Sequence, residues 1–163
     1  MISWDDYFMT TAIIASLRSK DPSTQVGACI VDKRKRIVST GYNGMPYGCV
    51  DDQMNWNCKE GLESKYLYVV HAEHNAILAS KVDLEGTTIY VTLFPCNECA
   101  KAIVQSGIAE VVYLSDKHAE SESTKASKCI LNNAGVKCRQ HFTSKEAYEA
   151  IQNKLNTYQN LIV

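Results

Sequence analysis

Four residues have the types and spacing to do chemistry together: His71 and Glu73 in "VVHAEHNAIL", and Cys96 and Cys99 in "FPCNECA". Alone, His71-x-Glu73 near a helix start could be a polar face turned to water, and Cys96-x-x-Cys99 could be a structural knuckle or a redox pair. Together they imply more. Cysteines three apart at the opening of a helix share a face, so both sulfurs can reach one metal ion. The unpaired N–H groups and the macrodipole of a helix N-terminus favour the thiolate, which is the form that binds zinc. With His71 supplied from the start of another helix, three protein ligands leave the fourth tetrahedral position open, as in catalytic rather than structural zinc sites. Water placed there ionises near pH ~7. Glu73, two residues beyond the histidine, would face the same cavity without joining the metal shell and could carry the proton from water to substrate.

These residues need elements that hold them. Ser3 can cap a helix running to about Ser19, with Trp4, Tyr7, Phe8, Thr11, Ile14, Ala15 and Leu17 as its broad, mostly apolar face. "DPSTQ" breaks it. "VGACIVD" and "IVSTGYNG" read as two strands joined by the basic turn Lys33 to Arg36, a solvated hairpin tip. From Met45 to Tyr66 no period holds and turn formers dominate, which predicts a long loop bordering the site. A helix follows over about His71 to Lys81, then the buried strand "TTIYVTL", with Pro95 ending it and "NECAKAIVQSG" forming a helix stopped by Gly107. "AEVVYLS" is a strand, "SESTKASKCILNNAG" a helix stopped by Gly135, "VKCRQHF" a last strand and "SKEAYEAIQNKLNTYQ" a terminal helix. This alternation predicts one domain spanning 1–163, a three-layer α/β/α fold whose central five-stranded sheet is mixed, with right-handed crossovers and helices on both faces.

Composition narrows the partners. The chain has 163 residues, 45% of them hydrophobic, enough for one sizeable core, and only three prolines. Lys+Arg 17 against Asp+Glu 18 gives a net charge of −1, which argues against a nucleic-acid partner and for a small one. Asp5 and Asp6 near the start, with no basic segment ahead of a long apolar run, speak against a secretory signal, and no run approaches the ~20 apolar residues of a membrane span. Seven cysteines without an export signal read as reduced thiols or metal ligands in a cytoplasmic protein. Cys29, Cys129 and Cys138, in a strand, a helix and a strand, are expected to be small buried hydrophobes. Cys49 and Cys58 lie in the long loop, where they could hold a second zinc with a nearby histidine or do nothing of the kind. His74 faces away from Glu73 and is expected to be structural or superficial. Tyr7, Phe8, Tyr66 and Tyr68 suit either an interface or the core.

His-x-Glu followed by Pro-Cys-x-x-Cys, at the starts of two helices separated by one strand, is the signature of zinc-dependent deaminases. The segments "RSKDPSTQVGACIVD", "GYNGMPYG", "HAEHNAI", "LFPCNECAK", "IAEVVYLSDK" and "NNAGV" narrow this further. In order and spacing the chain resembles the deoxycytidylate (dCMP) deaminases of the cytidine deaminase fold, from about Trp4 to Phe142. The resemblance implies hydrolysis of dCMP to dUMP and ammonia, supplying dUMP for thymidylate synthesis, with zinc held by His71, Cys96 and Cys99 and with Glu73 protonating N3 and then the leaving amine. It also implies a homohexamer activated by dCTP and inhibited by dTTP with magnesium. Asn43 of "GYNG" matches the position that meets the deoxyribose in the family, and it could serve the effector instead or simply form an Asn-Gly turn. Asp51 and Asp52 could help hold magnesium. Arg18 and Lys117 are candidates for charge beside a substrate or effector phosphate. One departure is visible: His118 in "SDKH" stands where the family commonly has tyrosine. Other readings are a nucleic-acid base deaminase, which would need a basic groove, free cytidine as substrate, and a non-catalytic nucleotide sensor with structural zinc, which would have no use for Glu73.

Overall fold

The computed structural model describes residues 1–49 and 55–159. Five helices and five strands alternate as α1 (Trp4–Ser16), β1 (Gly27–Val31), β2 (Ile37–Tyr42), α2 (Ala72–Ala79), β3 (Thr88–Leu93), α3 (Asn97–Gln105), β4 (Glu110–Ser115), α4 (Glu122–Asn133), β5 (Lys137–Gln140) and α5 (Lys145–Gln159). The sheet is mixed, in the order β2-β1-β3-β4-β5. β1 pairs antiparallel with β2 and with β3, whereas β3–β4 and β4–β5 are parallel. The antiparallel part follows from the tight turn at 33–36, where Lys35 adopts φ 63° and Asp32 accepts the Arg34 and Arg36 amides. The parallel part follows from strands separated by helices, which cannot turn back in two residues.

The two-residue period of the strands divides the core between two faces. Ala28, Ile30, Ile89, Val91 and Val111 point to one side and pack with Ala72, Ala76, Ala100, Ile103 and Leu131 of α2, α3 and α4. Cys29, Val31, Tyr90 and Val112 point to the other and pack with Phe8, Met9 and Ala12 of α1. Full burial of a side chain such as Phe8 contributes roughly 1.5–3 kcal/mol.

Two glycines let helices come close. A Cβ on Gly27 would overlap the Ala12 carbonyl of α1, and one on Gly41 would overlap the Ala72 carbonyl and the Ala76 amide of α2. The second contact seats α2, with its chemistry-bearing first turn, directly on β2, and Ser39 reinforces it by donating to the Ala76 carbonyl at 2.7 Å.

Some expectations need correction. The face of α1 turned to the sheet carries Asp6, Phe8, Met9, Ala12 and Ser16, while Trp4, Tyr7, Ile14 and Leu17 are exposed. Apolar residues surround this helix, so their distribution could not select a face, and the close approach at Gly27 selects the one bearing small Ala12. The helix also stops at Ser16 rather than near Ser19, its last turn closing through Arg18 N–H to Ala15 O and Ser19 N–H to Ser16 O. α2 ends at Ala79, two residues short of Lys81, because Ser80 is extended. Cys129 and Cys138 are exposed rather than buried, Cys129 on the outer side of α4 and Cys138 on edge strand β5, and only Cys29 is the buried hydrophobe expected of all three. Burial pushes the Cys29 thiol up to about 12. Phe8 is core, while Tyr7 and Tyr66 are exposed. Among the described residues no helix is long and apolar enough to cross a membrane.

Candidate active site

α2 and α3 both begin at a candidate ligand. His71 is the N-cap residue of α2 and Cys96 that of α3, each with extended backbone, so their side chains lie at the positive ends of the two helices. Asn75 fixes the first turn of α2 by donating through its side chain to the carbonyls of Tyr42 (2.8 Å) and Val70 (3.4 Å). His71 Nδ1 lies 3.4 Å from Cys96 Sγ and 3.3 Å from Cys99 Sγ, and the Cys99 amide donates to Cys96 Sγ at 3.5 Å. The three ligand atoms all fall within 4.8 Å of one another.

This donor set fits zinc. Bond lengths of ~2.3 Å to sulfur and ~2.05 Å to nitrogen at a tetrahedral angle put N and S about 3.5 Å apart, close to the separations found. The three side chains shift one another's protonation. The thiol of Cys99, hydrogen-bonded to Cys96, is the main cause holding Cys96 down at about 3; burial opposes this, and His71 and the Cys99 amide assist. The same bond, together with burial, pushes Cys99 up. The bond to Cys96 raises His71 against the effect of burial. Glu73 is 4% exposed, and burial is the leading cause that raises its pKa. It lines the same cavity as His71 and Cys96 and lies outside the trio of ligand atoms.

The cavity holds about 290 Å³, near the lower end of small-molecule sites. Besides His71, Glu73 and Cys96, its wall includes Asp21, Ser23, Thr24 and Val26 before β1, Asn43 after β2, Lys65, Tyr66 and Val69 at the end of the long loop, and His118, Ser121, Ser123 and Thr124 around the start of α4. The buried members are Asp21, Asn43, Lys65 and Thr124, while Ser23, Tyr66, His118 and Ser121 are exposed and form the rim. The long loop does border the site, as expected, through the 3-10 turn Lys65–Leu67 and the antiparallel bridge of Gly44 with Val70.

The other sequence candidates fall out unevenly. Asn43 is in the wall, its carbonyl oxygen accepting from Val26 N–H at 2.8 Å and its amide donating to Thr24 O at 3.0 Å. Lys117 reaches the rim, donating to Thr24 Oγ1 at 3.2 Å. Arg18 is exposed at the end of α1 and does not line the cavity. Among the described residues the only group of three or more potential ligands is His71, Cys96 and Cys99, so Cys49 and Cys58 are not gathered into a second one. Asp51 and Asp52 lie outside the described residues. His74 is half-buried beside His71, with ring centroids 6.5 Å apart. Sequence reasoning missed Asp21 and Lys65; the one available signal was a lysine at the end of a long loop leading into the histidine motif.

A two-cysteine, one-histidine trio at two helix starts, with a buried glutamate beside it, is what the family comparison matches. The cytidine and deoxycytidylate deaminase zinc-binding region aligns with residues 2–115. The chain belongs to the cytidine and deoxycytidylate deaminase family. Two curated relatives extend the match: a probable deoxycytidylate deaminase of Drosophila melanogaster, 54% identical over 89% of this chain and 75% of its own length, and the deoxycytidylate deaminase of Homo sapiens, 50% identical over 85% and 79%. Among solved structures, the dCMP deaminase of cyanophage S-TIM5 in complex with dCMP and dUMP superposes with a TM-score of 0.69 at 29% identity, covering 83% of this chain and 95% of that one. The mixed sheet with helices on both faces is therefore the cytidine deaminase-like fold, and the chain is a deaminase, a hydrolase of a C–N bond.

Proposed function

We propose that this deaminase hydrolyses dCMP to dUMP and ammonia. The observation that carries the proposal is a cavity lined both by His71 and Cys96 of the zinc-type trio with buried Glu73 and by a set of polar, hydroxyl-bearing residues. The relatives that act on dCMP give the substrate its identity. A zinc ion held by His71 Nδ1, Cys96 Sγ and Cys99 Sγ would supply Lewis-acid activation of water. Glu73 would take one proton from the attacking water and deliver it to N3 of the cytosine as oxygen bonds to C4. It then passes the second proton from the new C4 hydroxyl to the amine, the C4–N bond breaks, and the carboxylate is restored. Burial suits Glu73 to this work, because a desolvated carboxyl holds a proton more readily than one in water. On this reading Asn43 would meet the deoxyribose and Lys117 the 5′-phosphate, which the place of Asn43 in the wall and the bond of Lys117 to Thr24 support. Arg18, exposed and outside the cavity, suits an effector phosphate rather than the substrate.

The resemblance supports three finer readings: activation by dCTP and inhibition by dTTP with magnesium, a hexameric assembly, and a place in the supply of dUMP for thymidylate synthesis. Exposed Trp4, Ile14 and Leu17 on α1 also favour an assembly. A cytoplasmic location is favoured by seven cysteines that form no disulfide.

The test is loss of cytosine absorbance with purified, zinc-replete protein and dCMP, run beside deoxycytidine and with or without dCTP plus magnesium. Rapid loss with dCMP and little with deoxycytidine is expected, rising with dCTP. Turnover of deoxycytidine as fast as dCMP would overturn the nucleotide reading, and indifference to dCTP would remove the regulation.

A further inference from the structure

Asp21 and Lys65 form an ion pair 44 residues apart in the chain and almost wholly buried, with side-chain exposures of 7% and 3%. Lys65 Nζ donates to both carboxylate oxygens, at 2.8 and 3.0 Å. The same carboxylate accepts the Ser23 amide at 2.7 Å, the Thr24 amide at 3.3 Å and, more weakly, the Asn43 side-chain amide at 3.5 Å. Burial pushes the Asp21 pKa upward and is the largest single cause, yet these donors together outweigh it, so the group is held below its ordinary value. The backbone of Lys65 is tied as well, its N–H to Cys58 O and its carbonyl to the amides of Tyr68 and Val69.

Asp21 is thus a hub that collects three separate chain segments, the 21–26 loop, the end of β2 and the return of the long loop, each of which lines the cavity. Among the described residues, no hydrogen bond of this hub runs to His71, Glu73, Cys96 or Cys99. A nucleotide with its base beside His71, Glu73 and Cys96 has the remaining lining, to which these three segments belong, to receive its sugar and phosphate. Lys65 is a poor phosphate ligand itself, since its charge is already neutralised by a bidentate carboxylate that a phosphate would have to displace.

We propose that the Lys65–Asp21 ion pair is a positioning device that holds the sugar-phosphate wall of the cavity and so sets affinity for the nucleotide without entering the chemistry; this rests on the dCMP reading above. Removing Lys65 alone strands a buried carboxylate and threatens folding, so the informative variant is the double substitution Asp21→Asn with Lys65→Met, which leaves no buried charge. Its zinc content and melting temperature are measured against the wild type, then kcat and KM for dCMP, then the Kd for dUMP by calorimetry. The expected result is wild-type zinc content, kcat within about threefold, and KM for dCMP and Kd for dUMP each raised at least about tenfold.

A merely structural pair would lower melting temperature, zinc content and kcat together, or would leave KM unmoved; either result overturns the proposal. If the wild type fails to deaminate dCMP yet binds dUMP, the substrate reading falls while the Kd ratio still decides the role of the pair. A wild type that does neither overturns both.

Discussion

The two ends of the cavity are built in different ways. The candidate metal corner hangs on the first turns of α2 and α3, where each candidate ligand sits at a helix terminus, α2 seated on the sheet by Gly41 and α3 following the end of β3. The wall around Asp21, Lys65 and Asn43 is three loop segments gathered by those residues. Chemistry that must be exact to a fraction of an ångström is placed on rigid elements. Recognition is placed on loops, which a scaffold holds but does not dictate. Changes at the corner should therefore abolish the reaction, and changes in the wall should shift affinity.

The largest effect expected is at the corner itself. Cys99→Ala removes one of three ligands at a buried position, so zinc stoichiometry, read by atomic absorption, should fall towards zero and dCMP turnover with it. Chelator treatment of the wild type should do the same and be reversed by added zinc. Retention of one zinc and of activity in Cys99→Ala would show that this cysteine is no ligand. Next comes Glu73→Gln, nearly isosteric but unable to shuttle a proton. Zinc should stay bound while kcat falls by roughly 10²–10⁴, the usual range for a lost general acid–base group. A variant within tenfold of wild type would remove Glu73 from the chemistry.

The wall should respond otherwise. Asn43→Ala frees the part-buried Val26 amide and Thr24 carbonyl, a loss of about 1–3 kcal/mol. If half of that appears in binding, KM for dCMP rises about two- to twelvefold while kcat moves less. A collapse of kcat with KM unchanged would erase the division between corner and wall.

The same division explains what could be read from the chain. Strands announced themselves by β-branched runs, and the two-residue period of Ile89, Tyr90 and Val91 later sorted the two cores. The corner was legible because His-x-Glu and Cys-x-x-Cys act through short spacing on helix starts. Asp21 and Lys65 were not, because nothing local relates residues 44 apart; only the fold makes them neighbours. The buried face of α1 was also hidden, since Trp4, Tyr7, Ile14 and Leu17 are as apolar as the residues that pack, and the choice is made by a glycine on another element. Arg18 suits a phosphate by its charge, yet α1 ends in a tight turn that leaves its side chain in solvent.

The smallest effect is expected on the far face of the sheet, in a cluster that touches neither end of the cavity. Arg139 of β5 donates to both oxygens of Asp5 at 2.8 and 2.9 Å and to Glu110 at 2.9 Å, and Tyr90 adds a bond to Asp5 at 2.6 Å. The Arg139 bond is the first cause holding Asp5 down at about 2, against burial and with help from Tyr90. A carboxylate whose pKa is depressed on folding contributes stability above its unfolded pKa, about 4, and loses it as pH falls towards 2. Arg139→Met should therefore cost about 1 kcal/mol near pH 6, a figure reduced for solvent screening because the pair is 41% and 31% exposed. The gap between wild type and variant in urea unfolding should then narrow from pH 4 to pH 2. The difference between the two proteins carries the result, since acid releases the metal from both. Turnover of dCMP at neutral pH should be unchanged. A variant that lost catalysis here would mean that α1 and β5 are coupled to the cavity through the sheet, and the contrast between corner and wall would have to include a third participant.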